Sequence, residues 1–173
     1  DVIAAADCAA DRHGCTWYRS HDYMQRHHGE DPLEAQGFML SIGFMYLRSL
    51  PATMHLLNRS IAMTDKGENE QVAVNEALLA LRCTWMTPDG FPAPRGAAAQ
   101  RLLVTSSLHG VCSAGVGMPE EPQPELHVVV LPYSAVPRHG RGAVGPENLA
   151  YHPSGRLEEK ERDLGIVRRL CKV

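Results

Sequence analysis

The sequence predicts an α/β fold in a single domain. Three observations carry that expectation. Short apolar runs bounded by Pro, Gly or Asp recur at "VIAAA", "FMLSIGFMYL" and "LHVVVLP", and runs of this length read as buried strands. Between them, two segments repeat apolar residues at helical spacing. Strands that alternate with helices pack as a sheet flanked by helices, and 173 residues suffice for one domain with a real core.

Taken in order, Val2 to Ala6 is a strand that stops at Asp7. Residues 8 to 36 are rich in His, Arg and Asp, and "HHGEDP" is a turn signal, so a long loop with a short helix is expected. "FMLSIGFMYL" reads as one strand or two closely spaced strands, ending at Arg48. Ser49 is placed to cap the next helix, and Pro51 suits its first turn, where a missing N–H costs nothing. Met54, Leu57 and Ile61 repeat at helical spacing until "TDKGEN" ends the helix. A second helix begins near Asn69, with Val74, Ala77, Leu78 and Leu81 on one face. "TPDGFPAPRG" is a loop, "RLLVTSS" a strand, residues 113 to 125 a loop, and "LHVVVLP" a strand. "RHGRGAVGPEN" is glycine-rich but lacks the spacing of a phosphate-binding loop. The tail "RLEEKERDLGIVRRL" is charged and helical, broken at Gly165.

The totals narrow the function. A net charge of −3 makes no electrostatic case for nucleic acid. No apolar run approaches the roughly 20 residues of a membrane helix. The five cysteines show no C-x-x-C pair, which argues against a zinc ribbon or a thioredoxin-like motif. Cys8 and Cys15 could pair within a loop, a pairing that spacing alone leaves open. "NRS" at Asn58 to Ser60 is a glycosylation sequon. The opening "DVIAAAD" reads like the middle of a domain, so a fold incomplete at its N-terminus is expected.

Three pieces could carry chemistry. Gly43 lies mid-strand and Arg48 at the strand's exit. Such a glycine marks a bulge or a close approach by a ligand. In "EQVAVN", Glu70 and Gln71 open a helix, where the dipole favours an acid, and Asn75 shares a face with Gln71. A capped surface turn is the plain alternative. In "HPSGRLEEK", His152 could ligate a divalent ion and Lys160 could balance phosphate charge, against an exposed loop and a solvated charge run. "SHDYMQRHHGED" adds a weaker metal candidate through His21, His27, His28 and Asp31, whose spacing matches no established ligand set.

Together and in this order, "DVIAAAD", "SIGFMYLRS", "EQVAVN", "LPYSAVPRHG" and "HPSGRLEEK" resemble the nucleotide-diphospho-sugar transferase family of plants and green algae. Those are GT-A-fold glycosyltransferases acting on cell-wall glycans and glycoproteins. The resemblance covers nearly the whole chain. It implies a GT-A-like mixed sheet flanked by helices, a nucleotide sugar donor (UDP-linked), a glycan or glycoprotein acceptor, and retention at the anomeric carbon. It also implies Mn²⁺ or Mg²⁺, the Golgi lumen, and a parent anchored through an N-terminal helix. Residue by residue, it places Glu70 and Gln71 at the reacting sugar. Asp7, Ser41, Gly43, Arg48, Asn75, Gly155 and Lys160 border substrate, with Lys160 toward the diphosphate, and His152 ligates the metal.

Three features depart from the family pattern. No D-x-D occurs in the chain; Ser41 stands where the family has Asn; Glu70 stands where it has Asp. These departures support an alternative reading, a catalytically incomplete or non-catalytic binding or structural module on the same fold.

Overall fold

The computed structural model describes residues 1–7, 32–113 and 125–136. Five of its segments are strands: β1 (Val2–Ala6), β2 (Leu40–Leu47), β3 (Thr84–Met86), β4 (Leu108–Cys112) and β5 (Leu126–Leu131). Four are helices: α1 (Pro32–Ala35), α2 (Pro51–Thr64), α3 (Glu70–Ala80) and α4 (Gly96–Leu102). The strands form one mixed sheet in the order β2-β1-β5-β4-β3. β1 runs parallel to β5, and the other three pairings are antiparallel. The α/β class with a mixed sheet and flanking helices is therefore observed.

Alternation along the strands decides which face the helices cover. Leu126, Val128 and Val130 of β5 are buried while His127 is exposed; Leu108, Gly110 and Cys112 of β4 are buried while His109 is exposed. Val2, Ala4 and Ala6 of β1 join the buried side, with Leu56, Ala77, Leu78, Leu81 and Leu103 packed among them. Each such Val or Leu contributes about 1.5–3 kcal/mol when fully buried. The burial of Ala5 beside Ala4 and Ala6 fits the interior place of β1, paired on both edges.

Several expectations are revised. "RLLVTSS" is not a strand. Arg101 and Leu102 end α4, and Leu103 to Thr105 form a turn; the "GAAAQRL" segment holds strong helix formers that carry the helix into the apolar run. β3 lies just before the loop at 87–96, where no element is expected, and β4 follows the misassigned strand. Ser49 does not cap α2. The N-cap is Leu50, because the Thr53 hydroxyl does the capping instead. It accepts from Leu50 N at 2.9 Å and donates back to the carbonyl of Arg48. Pro51 sits in the first turn as expected. The Met54 and Ile61 side chains of α2 are exposed, and Ala52, Leu56 and Ser60 are buried instead. α3 begins one residue after Asn69, whose side chain accepts from Gln71 N at 3.0 Å.

Cys83 and Cys112 form a disulfide. Cys83 precedes β3 and Cys112 ends β4, and the register Thr84↔Val111 brings them opposite each other. Cys8 and Cys15 lie outside the described residues. The bridge closes a loop with a sequence separation of 29, so its reduction is expected to cost about 3–4 kcal/mol of stability by loop entropy. Thermal unfolding with and without reductant, compared with Cys83→Ala, measures this; equal midpoints in all three samples would contradict it.

Candidate functional site

The carboxyl ends of the parallel strands β1 and β5 share one edge of the sheet, and the amino end of β2 meets them there, through the pairs Ala5↔Leu131 and Ala6↔Leu40. In open α/β sheets this is the edge where ligands sit. Asp7 leaves β1 at that edge with 1% of its surface exposed. Its backbone N–H donates to Met39 O at 2.8 Å. Ser41 is 3% exposed, faces Ala5 across the pair, and its hydroxyl has no hydrogen-bond partner among the described residues.

α3 is bound to the same corner by two amide side chains. Leu40 N–H donates to Asn75 Oδ1 at 2.6 Å, and Asn75 Nδ2 donates to Leu40 O at 3.0 Å. Ile42 N–H donates to Gln71 Oε1 at 3.0 Å, and Gln71 Nε2 donates to Leu40 O. Asn75 Nδ2 also reaches Gln71 O at 2.8 Å. β2 is an edge strand, and these amides act toward it as a neighbouring strand would. The spacing explains why two side chains suffice. Four residues along a helix rise about 6 Å, and two residues along a strand about 6.6 Å. Positions 71 and 75 therefore match positions 40 and 42.

Gly43 lies in a break of register. Pairing with β1 passes from Ala4↔Met45 to Ala5↔Ser41, so Ile42 to Phe44 have no partner on that strand. The bulge reading of this glycine accounts for its place, and the residue is exposed. Gln71 holds the first residue of that bulge. Glu70 opens α3, exposed, at the end where the helix dipole favours negative charge.

The structure does not bring Arg48 to this corner. Its N–H donates to Asp1 O at 2.8 Å, at the opposite end of β1. Asp1 and Asp7 are six strand residues apart, about 20 Å. His152, Gly155 and Lys160 lie outside the described residues, as do His21, His27, His28 and Asp31. Among the described residues, no group of three His, Cys, Asp or Glu is placed to hold a metal ion. No described helix is long and apolar enough to cross a membrane. Asn58 of the sequon is exposed on α2.

The roles open to each residue follow from what its atoms already do. The amides of Gln71 and Asn75 are occupied by β2 backbone, so both position the corner. The exposed Glu70 carboxylate and the Ser41 hydroxyl are not committed to backbone. Thr53, which fixes the exit of β2 into α2, escaped the sequence reading; its only signal is a hydroxyl three residues after Leu50.

No family model matches the chain, no curated protein matches it, and no solved structure matches its fold. The comparisons identify no family.

The amide brace predicts a specific energetic pattern. Asn75→Leu keeps the shape but leaves Leu40 N–H buried without a partner, at about 1–3 kcal/mol. Gln71→Leu does the same to Ile42 N–H. The double variant should lose more than the sum, because Leu40 O then loses both donors. Urea unfolding of the four proteins checks this, and strict additivity would count against a shared brace.

Proposed function

We propose that the chain is a glycosyltransferase domain of GT-A type, using a UDP-linked sugar donor and a glycan or glycoprotein acceptor. One observation supports this reading most. The two most specific motif segments, "SIGFMYLRS" and "EQVAVN", are bound to each other through Gln71 and Asn75. They meet at the sheet edge where Asp7 and Ser41 are buried. Buried polar groups gathered at the carboxyl edge of an open sheet fit a ligand cleft better than a plain core.

On this reading the brace holds the backbone of Ser41 to Gly43 against substrate, with the bulge admitting a close approach. Glu70 faces the sugar, where a carboxylate stabilises the oxocarbenium-like charge that develops at the anomeric carbon. Lys160 balances the departing diphosphate. A divalent ion enters the proposal through His152 alone. The Golgi lumen belongs to the same proposal.

The non-catalytic alternative also has an observation in its favour. Gln71 and Asn75, two of the residues expected at substrate, spend their amides on backbone.

Titration calorimetry with UDP, with and without Mn²⁺, separates the two readings. The glycosyltransferase reading expects UDP to bind, more tightly with the ion, and Lys160→Ala to weaken it about tenfold, as loss of one charge-assisted contact does. The absence of UDP heat in both conditions would favour the non-catalytic module.

A further inference from the structure

A concavity lies at the C-terminal end of α3. It is bounded by α1, the end of α3, β3 and the segment 92–95, and its volume is about 590 Å³, within the range of small-molecule sites. Its lining includes Arg82 and Arg95, together with Gln36 and Trp85, and no carboxylate among the described residues. Neither arginine has an ion-pair partner among those residues.

The walls are fixed without any ligand. The Trp85 ring meets Phe38 edge-on, with centroids 4.9 Å apart and planes at 87°. Its other support is Gly110, where an added Cβ would come within 2.4 Å of the ring. The Cys83–Cys112 bridge ties the base of β3 to β4 beside it. The return segment is held by Ala93 N–H donating to Trp85 O at 2.9 Å. Pro92 and Pro94 stiffen it further. An aromatic wall held in advance loses little freedom when something flat packs on it.

Arg82 supplies an independent observation. It follows the C-cap of α3 with φ at 51°, and its N–H donates to Leu79 O at 3.0 Å. This is the position where helices favour glycine, because a Cβ is unfavourable in the left-handed region. The chain holds a long cation where the backbone would be better served by glycine. Such strain gathers at ligand clamps.

We propose that this pocket binds a small organic anion with a flat apolar body, the ring against Trp85 and the prolines and the phosphate or carboxylate between Arg82 and Arg95. Guanidinium groups suit such anions because their N–H donors form a planar fork. The proposal stands apart from the glycosyl-transfer reading and needs none of its residues.

Phenyl phosphate is the probe, with inorganic phosphate and benzyl alcohol as controls for the anion and the ring alone. Calorimetry on the full chain should show phenyl phosphate binding more tightly than either control. Arg82→Gly should weaken it about tenfold. The same substitution should raise the melting temperature of the free protein by about 2–4 °C by relieving the left-handed conformation. Arg95→Gln, at an exposed position, should weaken phenyl phosphate without that rise. Absence of phenyl phosphate binding, or unchanged affinity in both variants, would overturn the proposal. So would equal binding of phenyl phosphate and inorganic phosphate, which would show a loose ion site with no ring contact.

Discussion

Leu40 and Ile42 turn peptide groups away from the sheet, and two amides of one helix receive them. That constraint organises the rest of the corner. A buried peptide group left without a partner costs about 1–3 kcal/mol, so β2 can sit at the edge only if α3 lies against it in one register. Once it does, Ala77 and Leu78 of the same helix are delivered to the core beside Leu56 of α2. The strand is then held firmly enough to tolerate three residues that skip their pairing with β1.

Among the described residues, both outer edges of the sheet are partly covered, by different means. At β2 the work falls to Gln71 and Asn75. At β3 the chain folds back on itself, with Thr87 N–H on Phe91 O, Ala93 N–H on Trp85 O, and a bridge between Met86 and Pro92. Proline and a short strand are common ways to blunt an edge. Side-chain amides supplied by a helix are a less familiar one, and they leave the strand free to carry the bulge.

Much of the fold was legible in the sequence where one signal dominated. β5 is a run of Val and Leu between polar ends, and α3 has both an Asn cap and a four-residue apolar period. Other elements were hidden for physical reasons. β4 carries Gly110 in its middle, which weakens any strand signal, yet that glycine is required by the Trp85 ring above it. β3 is three residues long, too short to show a period. α2 misled because Met54 and Ile61 face outward, while Leu56 packs inward between the small Ala52 and Ser60. At the candidate site the residue types could be read but their targets could not. Asn75 and Gln71 were visible as polar groups on one helix face, and their partners lie 35 and 29 residues back in the chain, a distance over which local pattern carries no information.

The interior place of β1 bears on how the protein is made. Val2 pairs with Leu47 on one side and with Val128 on the other. During synthesis the first partner emerges early, and the second only after some eighty further residues. Until then the half-built sheet offers a bare strand of small apolar residues along Val2 to Ala5, open to any extended segment nearby. Non-local parallel pairing of this kind is slow to form, so the interval between translating α3 and translating β5 is when the nascent chain is most exposed to association with its neighbours.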